Sequence, residues 1–292
     1  MNTKQWWRNI IIDLIIPVYN AETTLELTLM SIIMQTIIDK ITVYLIDDCS
    51  KDNYDKILNN HKDMNIVYKR LEKNSGPAIA RQKGIDISTN KYIMFIDADD
   101  LFYDTDSVKR LYETIEQGYD YVAGFTYEEK REIKIQNESD LHGKIYRRQF
   151  IEDNDIKFNE TRVHEDNYFN NLVLACDPLT KKILDYVYIY VDNDESITNS
   201  QREKEFDRLE ILLLNMRQIL DESKKRNCNW ETIAYLIFIK VKYFNRISQD
   251  FSKAQKEKFK LWIKKYNLKI EKYLERTDLE EIYDEMIKEY SY

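Results

Sequence analysis

Apolar runs of strand length alternate with amphipathic stretches through the first third of the chain. Ile12–Val18 and Ile41–Asp47 are such runs, and residues 65–70 and 91–97 are two more. Between them the apolar positions recur at helical spacing, predicting helices over residues 22–35, 52–61 and 76–88. Asn20, ahead of the first, stands where a helix cap belongs. This alternation predicts an α/β fold, a Rossmann-like, mostly parallel sheet with helices on both faces. Ligands of such sheets bind beyond the carboxyl ends of the strands. Polar residues fall at those ends three times, as Tyr19-Asn20, Asp47-Asp48 and Asp97-Ala98-Asp99. Three placements at one rim predict a pocket.

From residue 119 to about 200 the pattern is mixed, with strand-like runs at 121–125 and 184–191 and a helix starting near Glu165. Beyond about residue 201 it is helical almost throughout. Ile211, Leu212, Leu214, Ile219 and Leu220 make one apolar stripe, and Ile233, Leu236 and Ile237 begin another. The pattern divides the chain near residue 200, into a first part over 1–200 and a helical C-terminal appendage over 201–292.

A hydrophobic content of 43 % against 33 % charged residues supports a packed core under a solvated surface. The net charge of −8 disfavours non-specific nucleic-acid binding across the surface. Cys49, Cys176 and Cys228 lack metal-type spacing and suit a reducing compartment better than a disulfide framework. No apolar run reaches the roughly 18–20 residues that cross a bilayer, and the expected location is cytoplasmic. Residues 253–276, bounded by Lys253 and Arg276, are locally basic and interleaved with Phe259, Trp262, Tyr266 and Tyr273. Such a segment can touch the inner face of an anionic membrane, hold a polyanion, or pack its aromatics inward as an ordinary helix.

The candidate chemistry starts at Asp97-Ala98-Asp99-Asp100. Carboxylates one residue apart at a strand end can aim oxygens at one hard cation, which often completes its shell with substrate phosphates. The same residues also suit a helix-capping or solvated acidic loop. In Pro17-Val18-Tyr19-Asn20-Ala21-Glu22 a strand ends beside an aromatic ring able to stack on a base. Asp48 can accept from a base N–H or cap the helix that follows. Asn74-Ser75-Gly76 turns into a helix carrying Arg81 one turn in, where a guanidinium could grip a diphosphate. Glu165-Asp166 can serve as catalytic carboxylates or as first-turn partners of a helix dipole.

In this order the segments resemble the family 2 glycosyltransferases of the GT-A fold, over about residues 12–102. Lys144-Ile145-Tyr146-Arg147-Arg148 and His164-Glu165-Asp166-Asn167 extend the likeness toward residue 200. The resemblance implies a catalytic part over 1–200, with a donor site at about 12–102 and an acceptor part at about 119–200, in which Pro17, Tyr19 and Asp48 hold a base, uracil above all. It implies that Asn20, Glu22, Asn74 and Arg81 help order the donor, and that Asp97 and Asp99 hold Mn²⁺ or Mg²⁺, Asp97 also facing the ribose. Asp166 then looks like the catalytic base, with Glu165 beside it. Where the family often carries Tyr-Arg-x-His-x-x-Ser, this chain has Tyr190-Val191-Asp192-Asn193-Asp194-Glu195-Ser196, which leaves Ser196 and backbone amides for the donor phosphates and puts the last metal ligand in doubt.

The implied activity is inverting transfer of a hexosyl or N-acetylhexosaminyl group from a nucleotide sugar, UDP-linked by expectation, to a glycan or lipid-linked acceptor of a bacterial surface. The alternatives are transfer to a modified nucleobase or a protein, and a binding or scaffold protein without catalysis.

Overall fold

The computed structural model describes residues 10–128, 133–135, 140–191, 205–226, 228–274, 276 and 278–290. Four strands, β1 (Ile12–Val18), β2 (Ile41–Asp47), β3 (Ile66–Arg70) and β4 (Tyr92–Phe95), pair in parallel in the spatial order β3-β2-β1-β4. Helices α1 (Leu25–Ile33), α2 (Asp55–Asn60) and α3 (Pro77–Ile87) connect them. β1 and β2 are buried almost throughout, as strands covered on both faces must be.

Past β4 the pairing changes. β5 (Leu101–Phe102), α4 (Ser107–Ile115), β6 (Tyr121–Glu128), β7 (Ile133–Ile135), β8 (Lys144–Arg147), α5 (Arg148–Asp153), α6 (Glu165–Ala175) and β9 (Thr180–Tyr190) follow in the chain. β8 lies antiparallel between β4 and β6, while β9 runs parallel to β6 and antiparallel to β5. The expected α/β sheet is therefore present, parallel in its first half and mixed in its second. β9 begins earlier than the apolar pattern indicated, because its exposed start, Thr180 to Lys182, carries polar side chains while its backbone pairs with β6.

Alternate residues of β1 feed two cores. Leu14 and Ile16 pack with Leu29, Val43 and Leu111 on one face. Ile15 faces the other, among Ala80, Phe95, Tyr146 and Phe169. α3 lies close on this second face because Gly84 has no side chain: a Cβ there would come within 2.4 Å of Ile15 Cγ2. The C-terminal helices α7 (Glu205–Ser223), α8 (Trp230–Ile247), α9 (Lys253–Lys265) and α10 (Leu279–Tyr290) join this second core through Leu213, Ile233, Phe244, Ile263 and Met286. Of the aromatics in the basic segment, Phe259, Trp262 and Tyr273 are buried and Tyr266 is half-buried, so the inward packing is the arrangement found. Its lysines pair across to α7 and α10, Lys258 with Asp207, Lys265 with Glu210 and Lys272 with Glu289. Among the described residues no helix is long and apolar enough to cross a membrane.

One polar cluster joins the two halves of the sheet at the end away from the pocket. Asp13, fully buried in β1, accepts from Asn90 N and Nδ2 at 2.6 Å each and from Arg148 at 2.8 Å. Arg148 also donates to the carbonyls of Asn90 and Ile85 and to Ser88 Oγ. A carboxylate this deep is tolerated because several donors replace its water.

Candidate active site

The crevice opens where β1 and β4 part. Ile96 N donates to the Ile15 carbonyl, but Pro17, two residues on and facing the same neighbour, has no N–H to offer. β1 continues along β2 to the pair Val18↔Asp47, whereas the β4 ladder stops at Phe95. This is the reversal point of the strand order, at the carboxyl ends, where a ligand is expected.

On the β2 side, the residues of Asp47-Asp48-Cys49-Ser50-Lys51-Asp52 mostly build the loops. Ser50 N donates to Asp47 Oδ1, and Asp47 Oδ2 takes Tyr68 and Arg70, each at 2.7 Å. Those bonds hold the Asp47 carboxyl below its ordinary range although burial alone pushes it up. Asn20 does not cap α1. Its backbone is left-handed at φ 50, its N–H donates to Ser50 Oγ and its Oδ1 accepts from Lys51 N. With Ala21 N on Tyr54 and Glu22 N on Asp52, residues 21–24 are spent in a turn, and α1 starts only at Leu25. Tyr19 projects 47 % exposed at this rim and Pro17 is half-buried beside it. Asp48 is buried, and its two oxygens accept from Ser75 N and Gly76 N, both at 2.7 Å, bracing the turn into α3. Asn74 is held in turn by Arg162, which donates to its side chain and its carbonyl. Gly76, at φ 95, occupies a backbone region that side chains disfavour, and a Cβ added there would meet Arg162 Cγ at 3.2 Å.

Arg81 joins the two expected catalytic regions. Projecting from α3 and 5 % exposed, it donates to Asp97 Oδ1 at 2.5 Å and to Glu165 Oε1 at 2.6 Å. The strand-end carboxylate and the start of α6 are thereby fastened to one guanidinium, and two of its donors are engaged within the protein. The Asp97 carboxyl is driven well below its ordinary value by Arg81 and His142, overriding its burial. Glu165 moves the other way, because burial and the adjacent Asp166 outweigh Arg81. Asp166 is half-buried and raised by burial, and Arg81, Asp140 and His142 all lie within its electrostatic reach. Its Oδ1 accepts from Asn167 N at 2.6 Å.

The acidic strand end has partners that spacing did not indicate. Tyr188 of β9 donates to Asp100 Oδ2 at 2.6 Å and accepts from Asp97 N, and Val191 N donates to Asp100 Oδ1. His142 lies 3.6 Å from Asp97 and 3.9 Å from Asp100, with its ring stacked on Tyr188 at 4.7 Å. Burial opposes the imidazolium, but Asp97, Asp140 and Asp100 together raise His142 to about 9. Asp97, Asp100 and His142 each bring a ligand atom within 4.8 Å of the others. Two carboxylates and an imidazole form a donor set that suits a divalent transition ion once His142 gives up its proton and Asp100, pushed up to about 8 chiefly by burial, is ionised. Asp99, the second ligand expected from spacing, is half-buried and lies outside that trio. Ser196 and Asn193 lie outside the described residues.

The C-terminal helices reach the same site. Asn215 of α7 donates to the His164 carbonyl at 2.8 Å, just ahead of α6. His164 is pushed down to about 4 by burial, with Lys240 and Arg208 adding to it. Lys240 of α8 is half-buried, feels Asp166, and is lowered to about 8 by burial.

With this geometry in place, the comparisons decide the family. Residues 13–170 match the profile of Glycosyl transferase family 2. The chain belongs to that family. An uncharacterised glycosyltransferase of Escherichia coli is 36 % identical over 106 residues, 36 % of this chain and 29 % of that protein. A putative teichuronic acid biosynthesis glycosyltransferase of Bacillus subtilis is 34 % identical over 94 residues, 31 % of this chain and 36 % of that protein. Each match thus spans well under half of the relative's length. Among solved structures, S. aureus TarS 1-349 in complex with UDP-GlcNAc superposes with a TM-score of 0.76 at 19 % identity, over 88 % of this chain and 80 % of that one. The fold is the expected GT-A arrangement with a helical C-terminal region.

Proposed function

We propose that this family 2 glycosyltransferase moves a sugar, a hexosyl or N-acetylhexosaminyl group, from a UDP-linked donor to a hydroxyl of an anionic surface glycan, with inversion at the anomeric carbon. The observation that carries the reading is the Asp97–Arg81–Glu165 bridge, which ties the strand-end carboxylate to the first residue of α6, next to Asp166. The donor assignment draws support from the TarS complex with UDP-GlcNAc, and the acceptor class from the teichuronic acid relative. Lys240 adds support from the chain itself. Among the described residues it has no hydrogen bond or ion pair, yet it is desolvated beside Asp166. An ammonium in that position is costly until an anion joins it, and a phosphate or carboxylate on the acceptor would do so.

In this proposal Tyr19 stacks on the base, with Pro17 and the loop braced by Asp48 shaping its slot. Asn20, Glu22 and Asn74 border the donor. Asp97 is common to the metal pair read from spacing, Asp97 and Asp99, and to the gathered trio with Asp100 and His142, so it is the residue assigned to a Mn²⁺ or Mg²⁺ ion. Such an ion supplies positive charge against a departing diphosphate. Arg81 keeps Asp97 ionised and holds Glu165 beside the base. Asp166, raised by burial and, among the described residues, hydrogen-bonded only by Asn167 N, takes the proton of the attacking hydroxyl. Residues 1–200 form the catalytic part in this scheme and residues 201–292 border the acceptor.

A thermal-shift panel of UDP, UDP-sugars and GDP-sugars, each with and without Mn²⁺, tests the donor. A ligand that binds only the native state raises the melting temperature by mass action. A shift with UDP-sugar plus Mn²⁺ is expected, and a panel in which GDP-sugars alone shift it would overturn the uridine assignment.

A further inference from the structure

Cys176 closes α6, and Cys228 lies directly before Asn229, the residue that caps α8. The two are 52 positions apart in the chain. Their backbones are already joined one residue away, since Asn229 N donates to the Ala175 carbonyl at 2.8 Å. Both thiols are free and buried, at 8 % and 7 % exposure, and the sulfurs stand 3.6 Å apart. A disulfide bond is about 2.05 Å long, so closure needs about 1.5 Å, on the scale of side-chain rotation.

The surroundings favour reaction at one sulfur. The hydrogen bond with Cys176 brings the Cys228 thiol down to about 7 against its burial, and Arg226 adds to the effect. That guanidinium is fixed by the carbonyls of Asn154, Asp155 and Glu222. The thiolate is the form that peroxides oxidise.

We propose that Cys176 and Cys228 are a peroxide-sensitive dithiol whose oxidation welds the end of α6 to the start of α8. The Cys228 thiolate attacks the O–O bond of hydrogen peroxide, giving a sulfenic acid and hydroxide. Cys176 sulfur then attacks the sulfenic sulfur, the S–O bond breaks, and the hydroxyl leaves as water with a proton. Overall two thiols and one peroxide become one disulfide and two waters. The weld joins the helix that begins with Glu165 and Asp166 to the helix that carries Lys240, and the proposal stands whatever the donor or acceptor proves to be.

The test treats the full chain with hydrogen peroxide, alkylates the remaining thiols after unfolding, and maps the peptides by mass. The expected result is a cross-linked peptide pair containing Cys176 and Cys228, about 2 Da lighter than its parts and reversed by dithiothreitol. The oxidised chain should melt about 5–10 °C higher. Cys49→Ser should leave the cross-link intact, and Cys228→Ser should abolish it. Separate sulfinic acids at the two positions, a cross-link through Cys49, or reduced Cys176 and Cys228 after Cys49 is fully oxidised would each overturn the proposal.

Discussion

Replacing Arg81 by methionine removes the cation shared by Asp97 and Glu165 while keeping most of the side-chain volume. The Arg81 side chain is 6 % exposed, that of Glu165 9 % and that of Asp97 31 %. Removing one member of a buried ion pair costs about 3–5 kcal/mol, because the survivor stays buried and charged. Glu165 should account for most of that, since Asp97 retains some water, and a loss of about 3–4 kcal/mol at pH 8 is expected. The dependence on pH follows from the direction of the Glu165 shift. Burial and Asp166 already raise it, and without Arg81 it must rise further. An acid whose folded pKa exceeds its unfolded value penalises the folded state above that pKa, and the penalty is relieved as pH falls through it. Urea denaturation at pH 8 and pH 5.5 should therefore show the loss shrinking in acid, and Glu165→Gln added to the variant should recover part of it at pH 8. A loss below about 1 kcal/mol at pH 8, or one that grows toward pH 5.5, would refute the bridge as the fastener of the site.

Other variants separate the assigned roles. Asp166→Asn should keep the donor-induced thermal shift but lower kcat by about 10²–10⁴, the usual range for a lost general base; turnover near wild type would remove Asp166 from that role. Lys240→Met should raise the acceptor KM roughly tenfold, about 1.4 kcal/mol, without changing donor affinity. An equal rise toward a neutral acceptor would argue against anion recognition there. Gly84→Ala should destabilise by about 1–2 kcal/mol in chemical denaturation, the overlap with Ile15 outweighing the better helix propensity of alanine. A variant as stable as the parent would mean that α3 can lift off β1 freely.

The parallel half of the sheet was legible because buried strands write continuous apolar runs, and the acidic residues fall where those runs stop. The meeting of Asp97 with Glu165 was legible only through family resemblance, since no local pattern links α3, β4 and α6. His142 and Tyr188 were missed for a physical reason. Each is a single residue, Tyr188 in the long strand β9 whose exposed start obscures its period and His142 in the turn ahead of β8. The only local hint is Gly143 after His142, whose φ of 62 lets the chain turn tightly against Val187. Asn20 misled because a polar residue before a helical stretch looks like a cap, whereas its partners are Ser50 and Lys51, thirty and thirty-one positions away. Nor does sequence reveal that Asp48 spends both oxygens on backbone amides.

The Asp13 cluster bears on how this chain could be divided. Most residues of the proposed donor site, from Pro17 to Asp97, come early in the chain, and a shortened version ending near residue 118 would look like a natural nucleotide-binding module. Such a fragment would lack Arg148 and keep an aspartate sealed between β-strands with only Asn90 for company. The two halves of the sheet share one electrical ground, so early and late residues must be inherited, expressed and engineered as a unit.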